Sequence, residues 1–167
     1  MDLPKPKLVI SHKSGDEGTL YESRVKEYAE RLGVELIFIG DKIGPARCFT
    51  SNHVHEFTID DIYECADLVT YPSGYEGFGN AFVEAVYFKK PLVVNRYSIY
   101  IEDIEPLGFD VISFDGFVTH EIVEQVRSFL GSDARGASLE KNYRLGQMYL
   151  SYEVLEKKLL PIIQSFT

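Results

Sequence analysis

The chain of 167 residues is 45% hydrophobic and 26% charged, with 11 Tyr, 11 Phe and no Trp, a composition that excludes disorder and low complexity. Lys and Arg number 17 against 26 Asp and Glu, so the formal net charge is −9. A chain this acidic lacks the diffuse positive field that wraps nucleic acid or an anionic membrane, and any anion it binds must be gripped locally. Cys48 and Cys65 are too few and too far apart for a disulfide scaffold or a CxxC site. Met1-Asp2 leads into Pro4-Lys5-Pro6-Lys7 without an apolar signal region, and no apolar run reaches membrane-spanning length. The expectation is a soluble, cytoplasmic chain with reduced thiols.

Leu8-Val9-Ile10 reads as a buried strand closed by the polar segment Ser11 to Gly18. Thr19 and Glu22 fit a capping box, and Tyr21, Val25, Tyr28, Ala29 and Leu32 recur at helical spacing until Gly33 stops the helix. Val34 to Ile39 is a second strand, so a βαβ unit opens the chain. A short strand around His53-Val54-His55 and a helix capped by Thr58 follow. Asp67 to Tyr71 reads as a strand stopped by Pro72, Asn80 to Lys89 as a helix, and Leu92-Val93-Val94 and Val111-Ile112 as further strands. Thr119 caps a helix carrying Ile122, Val123, Val126, Phe129 and Leu130. Beyond it, residues 138–166 form a helical tail of two segments, the second opened by Ser151 and kinked or ended at Pro161. The expected fold is α/β: a single Rossmann-like domain over residues 1–167, a doubly wound parallel sheet flanked by helices with a C-terminal helical tail. Such sheets bind ligands at the carboxyl ends of their strands, which singles out the loops after Ile10, Tyr71 and Val94.

The loop after Tyr71 carries the densest constellation, Pro72-Ser73-Gly74-Tyr75-Glu76-Gly77-Phe78-Gly79-Asn80, running directly into a helix. Gly77 and Gly79 let the backbone approach a ligand closely, and the helix start presents N–H groups and a positive dipole end to a diphosphate. Glu76 stands at the mouth and Glu84 about two helical turns on. Two carboxylates beside a phosphate cradle suit the hydroxyls of a nucleotide-sugar. Glycine turns before helices are common in doubly wound folds, however, and an exposed Glu is usually solvated, so spacing alone leaves the choice open.

Pro72-Ser73, Glu76-Gly77-Phe78-Gly79, Glu84-Ala85 and Pro91-Leu92-Val93-Val94 together closely resemble the donor-site signature of family 4 (group 1) glycosyltransferases, whose E-x7-E motif falls on Glu76 and Glu84. Ala66-Asp67-Leu68-Val69 and, more loosely, Asn142 to Leu160 extend the resemblance over most of the chain. It implies the C-terminal, nucleotide-sugar donor-binding half of a GT-B fold and a retaining hexosyl transfer that requires no metal. It also implies a role for Glu76 at the donor sugar and catalysis, for the backbone of Gly77, Phe78, Gly79 and Asn80 at the sugar and diphosphate, and for Glu84 at the ribose. The donor would be a GDP-, UDP- or ADP-linked hexose. Where the family places an Arg and a Lys to clamp the diphosphate, this chain has His12 and Glu17, leaving Lys13 and His12 as the replacement donor-binding pair. The N-terminal acceptor domain of the family is missing from the 167 residues, so the partner implied is an acceptor domain or subunit, and the chain by itself would bind a donor without transferring it.

The other constellations point less far. His53 and His55 could ligate zinc, but no third ligand accompanies them, and a structural role is preferred. Ser73, His12 and Asp16 lack the Gly-x-Ser-x-Gly elbow of a hydrolase. Arg96 and Tyr97 follow a strand end, where they touch either a donor or solvent, and Tyr97 to Tyr100 offers a domain or subunit contact. Tyr143, Tyr149, Tyr152 and Phe166 read as packing groups of the tail, with an exposed apolar patch expected there. A non-catalytic nucleotide-sugar-binding or interaction module is the alternative function. A flavodoxin-like or receiver domain fits less well, because the acidic pocket those folds carry at the first strand is missing.

Overall fold

The computed structural model describes residues 5–12, 18–46, 48–50, 53–55 and 57–166, with backbone alone for residues 18–19, 48–50 and 53–55. These form two compact units, residues 1–64 and 65–167.

In the first unit, β1 (Lys7–Ile10) runs parallel to β2 (Glu35–Phe38), with Lys7 opposite Glu35 and Ile10 opposite Phe38. The crossover is α1 (Gly18–Leu32), which begins one residue before Thr19, so that threonine lies inside the helix and not at its cap. Gly33, at φ +65°, closes α1 as expected: Val34 N–H donates to Ala29 O and Gly33 N–H to Glu30 O, the paired bonds of a left-handed helix stop. The buried line of α1 runs through Val25 and Ala29, whereas Tyr21, Tyr28 and Leu32 stay exposed. β1 is less buried than its composition predicts, with Leu8 and Val9 both exposed, because it has one strand neighbour in a two-stranded sheet. Lys26 covers the Phe38 ring, its ammonium 4.9 Å from the centroid. A hairpin of β3 (Cys48–Thr50) and β4 (His53–His55) follows, of which only β4 was legible in the sequence. Helix α2 (Ile59–Cys65) opens with the expected cap: Thr58 N–H donates to Asp61 Oδ2 at 2.8 Å and Asp61 N–H to Thr58 Oγ1 at 3.4 Å.

The second unit is built on a parallel sheet in the order β5 (Val69–Tyr71), β6 (Leu92–Asn95), β7 (Ile112–Phe114). β6 is central and every residue in it is buried, which explains its uninterrupted apolar run. Helix α3 (Asn80–Tyr87) packs on β5 and β6 through Phe82, Ala85 and Val86, and α4 (His120–Leu130) packs on β7, its first turn closed by Thr119 Oγ1 accepting from Ile122 N–H. Phe82 meets Phe109 edge-on at 5.2 Å and Tyr100 at 6.0 Å, forming the aromatic centre of the core with Tyr97, Val94 and Ile104. The segment after β6, unassigned in the sequence, is a π-helical turn over Tyr100–Ile104 followed by a 3-10 turn over Glu105–Leu107. Tyr97 and Tyr100 are therefore core residues, which corrects their reading as a contact surface; burial of both rings under α3 is the reason.

The tail comprises α5 (Arg135–Leu150), starting three residues before the expected boundary, and α6 (Tyr152–Gln164), capped by Ser151. Pro161 does not end α6; it falls in the last turn, where its missing N–H removes one bond and Ser165 closes the turn onto Pro161 O and Ile162 O. Tyr143 packs against Tyr87 and under Lys89, but Tyr152 and Phe166 are almost fully exposed, so of the tail aromatics these two are not packing groups. With Leu155, Leu159, Ile162 and Ile163 they form the expected apolar patch. Among the described residues no helix is long and apolar enough to cross a membrane.

Two further contacts seat the tail on the second unit. Asn142, buried, accepts from Asp110 N–H at 2.7 Å and donates to Asp110 O at 2.9 Å, doing for an irregular segment what a strand neighbour would do. Gly146 lets α5 lie close on α3: a Cβ there would stand 2.8 Å from Val86 Cγ1. Gly146→Val is accordingly expected to lose about 1–3 kcal/mol of stability through overpacking, read as a lowered thermal midpoint, while Gly136→Val on the open part of the same helix should not show this loss.

Candidate functional site

The loop between β5 and α3 is held at both shoulders by Asn95, the last residue of β6, and Tyr97, two residues on. At the near shoulder, Asn95, buried, donates from Nδ2 to Ser73 O at 3.2 Å while its Oδ1 accepts from Gly116 N–H at 3.0 Å. This couples the loop after β5 to the loop after β7. At the far shoulder, the Tyr97 hydroxyl donates to Phe78 O at 3.0 Å. The Tyr97 ring is 2% exposed and stands edge-on to Tyr71 at 5.9 Å.

That packing dictates Gly79. Its φ of +108° lies in the left-handed region, and a Cβ would fall 2.3 Å from the Tyr97 hydroxyl and 3.4 Å from the Tyr71 ring. Gly79 is also the cap of α3 and offers no side-chain acceptor, and the first turn of α3 holds no acidic residue, so the positive end of the helix dipole faces the loop. Gly77 has no such internal reason to be glycine, since a Cβ there would meet nothing within 4 Å. Tyr75 and Phe78 are exposed along the same loop, and Glu76 is half-buried. Glu84 lies half-buried on α3. The fold thus gathers Glu76, Gly77, Phe78, Gly79, Asn80 and Glu84 on one loop-helix junction of the second unit.

His12 sits exposed just beyond β1 in the first unit, and Lys13, Asp16 and Glu17 lie outside the described residues. His53 and His55 contribute backbone to β4. Arg96 is neither a free surface cation nor an open donor contact: its Nε and Nη2 grip Glu105 Oε1 and Oε2 at 2.9 and 2.8 Å, raising its already high pKa further. That pair borders a depression of about 490 Å³ at the carboxyl ends of β6 and β7, with Ser113, Asp115, Phe117 and Thr119. Sequence reasoning missed Asn95 and the role of Tyr97. A polar residue closing the apolar strand Leu92-Val93-Val94 was the available signal for the first; nothing local marked the second.

Burial, and then the negative charge of Glu76, pushes the Tyr97 phenol up to about 12. Tyr100 also rises to about 12, through burial and then Glu105, partly offset by a hydrogen bond with Ser113 and the charge of Arg96. A phenol whose folded pKa is raised contributes stability in full below its unfolded value near 10 and loses it as pH climbs toward the folded value. Stability should therefore fall between about pH 10 and 12, by at most ~1.4 kcal/mol per pH unit for each ring. A tyrosinate absorbance titration should show two of the 11 tyrosines ionising late, together with unfolding. Separately, Gly79→Ala should destabilise the chain by about 1–3 kcal/mol, since it meets both the Tyr97 hydroxyl and a left-handed backbone; thermal denaturation reads the loss.

Comparison with known proteins places these residues in a family. Residues 21–145, which include the whole Glu76 to Glu84 junction, match the family of glycosyl transferases, group 1. The chain is 41% identical over 106 residues to a mannosylglucosylglycerate synthase of Petrotoga mobilis, a stretch covering 60% of this chain and 23% of that protein. It is 31% identical over 150 residues to a mannosylglucosylglycerate synthase of Thermotoga maritima, covering 81% of this chain and 33% of that protein. The chain thus spans between about a quarter and a third of the length of these curated relatives. With the family match extending over most of its residues, and the parallel α/β architecture of a Rossmann-like GT-B half, the chain belongs to the group 1 glycosyl transferases.

Proposed function

We propose that the chain binds the nucleotide-diphosphate sugar of a retaining, metal-independent hexosyl transfer, as the donor half of a glycosyltransferase whose acceptor is held by another domain or subunit. The observation that carries this reading is the junction of Gly77, Phe78 and Gly79 with the start of α3: a backbone turn with open space over Gly77 leading into a helix whose first turn holds no acidic residue. As the diphosphate departs it gathers negative charge, and preorganised N–H groups with the positive helix end stabilise that charge without reorganising. Glu76 accepts hydrogen bonds from the donor sugar and supports the cationic character of its anomeric carbon, and Glu84 holds the ribose hydroxyls. The resemblance to the family assigns the diphosphate clamp to His12 and Lys13.

The names of the two relatives make a mannosyl donor the first candidate among GDP-, UDP- and ADP-linked hexoses. A second reading, a nucleotide-sugar-binding module without transfer, is favoured by one specific feature: the exposed His12 stands where the family carries an arginine.

Calorimetric and thermal-shift titration with a panel of nucleoside diphosphates and nucleotide-sugars, first without and then with magnesium, distinguishes these readings. One nucleotide-sugar is expected to raise the melting temperature in the absence of metal, and Glu84→Ala should abolish the shift. Gly77→Ala should leave the unliganded melting temperature within about 2 °C, since its Cβ meets nothing, yet reduce donor affinity by occupying the donor's space. No binding at millimolar ligand would reject the donor reading. Binding without hexose transfer in the presence of the complete relatives' acceptor half would favour the module.

A further inference from the structure

The Tyr97 hydroxyl and the Phe78–Gly79 peptide carry an inference beyond the donor reading. No peptide bond in the described chain is cis, so the Gly79 N–H points opposite the Phe78 carbonyl across a planar amide. The Tyr97 hydroxyl holds that carbonyl inward at 3.0 Å, and the Gly79 N–H is thereby aimed away from the Tyr97 ring. Gly79 is buried, and its N–H has no acceptor among the described residues. An N–H at a helix start has no intrahelical acceptor and is open to a partner from outside the helix. Here it stands at the cap of α3, one residue before the helix begins.

Local conformation alone does not set this direction. A half-turn of the Phe78–Gly79 peptide changes ψ of Phe78 and φ of Gly79, and glycine occupies either sign of φ at little cost. The hydrogen bond opposes the flip, and it comes from a hydroxyl whose ring is clamped between Tyr71 and Tyr100 at 5.9 Å each and so has little freedom to follow.

We infer that Tyr97 is a positioning residue: its hydroxyl locks the Phe78–Gly79 peptide so that the Gly79 N–H is presented as a hydrogen-bond donor to an anionic oxygen of the ligand. The identity of that oxygen, on the diphosphate of a nucleotide-sugar, rests on the donor reading above; the lock itself does not. Tyr97 touches no substrate in this account. It acts through the peptide, and the aromatic body that fills the space under Gly79 is separable from the hydroxyl that sets the peptide.

Tyr97→Phe makes that separation. In the chain without ligand, the amide proton and nitrogen resonances of Gly79 should move well outside the scatter of the other glycines, while the melting temperature falls by less than about 4 °C, as expected for one hydrogen bond. Affinity for the nucleotide-sugar that binds the wild-type chain should drop about five- to tenfold. Affinity for the free nucleoside, which lacks the diphosphate, should stay within twofold; a merely structural weakening would lower both. An unchanged Gly79 resonance, or equal nucleotide-sugar affinity in the two chains, overturns the lock. If the wild-type chain binds no nucleotide-sugar, the donor reading fails and the Gly79 resonance alone decides the lock. The wild-type chain provides a test free of substitution: the Tyr97 hydroxyl proton should be protected from exchange and show an Overhauser contact across the Phe78–Gly79 peptide, and rapid exchange there would equally overturn the inference.

Discussion

The approach of the Tyr97 ring to the backbone at Gly79 is the contact on which the second unit's loops depend. Because the phenol lies directly beneath the turn, position 79 admits no side chain, its φ is left-handed, and α3 starts at Asn80 with the axis it has. The same ring reaches Tyr71 at the end of β5 and Tyr100 in the π-helical turn after β6. Strand end, loop and helix start are thus fixed by one aromatic group and a single hydrogen bond. Asn95, two residues earlier, repeats the device at the opposite shoulder by bonding Ser73 O and Gly116 N–H. A binding loop on a doubly wound sheet needs rigidity from somewhere other than the sheet ladder, and here the residues just past the central strand supply it.

Much of this architecture was legible in the chain. Short apolar runs at Leu8 to Ile10, Leu92 to Val94 and Ile112 marked parallel strands, and for the central Leu92 to Val94 the reason is coverage on both faces, which needs no alternation. Thr58, Thr119 and Ser151 marked helix starts through side-chain oxygens that accept from the first turn, and Gly33 marked a stop through its left-handed φ. The stop of α3 shows the limit of such reading: Lys89 takes the left-handed position at φ +50°, and it is held by Glu140 at 2.6 Å and the Tyr143 ring, both contributed from α5. No local pattern announces a left-handed lysine whose partners lie fifty residues on.

The same distinction separates the parts of the candidate site. Glu76, Gly77, Gly79 and Glu84 are singled out by a compact local pattern that resembles a family signature, since the turn and the helix start that carry it are contiguous in sequence. Asn95 and Tyr97 were not assigned this role, since what they do is defined by carbonyls more than fifteen residues away in sequence. The two glycines also part company in the structure. Gly79 is required by the fold itself, whereas Gly77 faces open space, and a glycine with no internal demand on it is where an external one is to be sought. The run Tyr97 to Tyr100 reads as a contact face from sequence; burial of Tyr100 against Phe82 and of Tyr97 against Tyr71 and Tyr100 reverses that.

The central claim is that the loop-helix junction from Glu76 to Glu84 receives a nucleotide-diphosphate sugar. The most direct measurement is a backbone amide spectrum of the isotopically labelled chain, recorded as a nucleotide-diphosphate hexose is added without metal. The account predicts the largest shifts at Gly77, Phe78, Gly79 and Asn80, with Glu84 following. Shifts confined to the depression beside Arg96 and Asp115, or none at millimolar ligand, would contradict it.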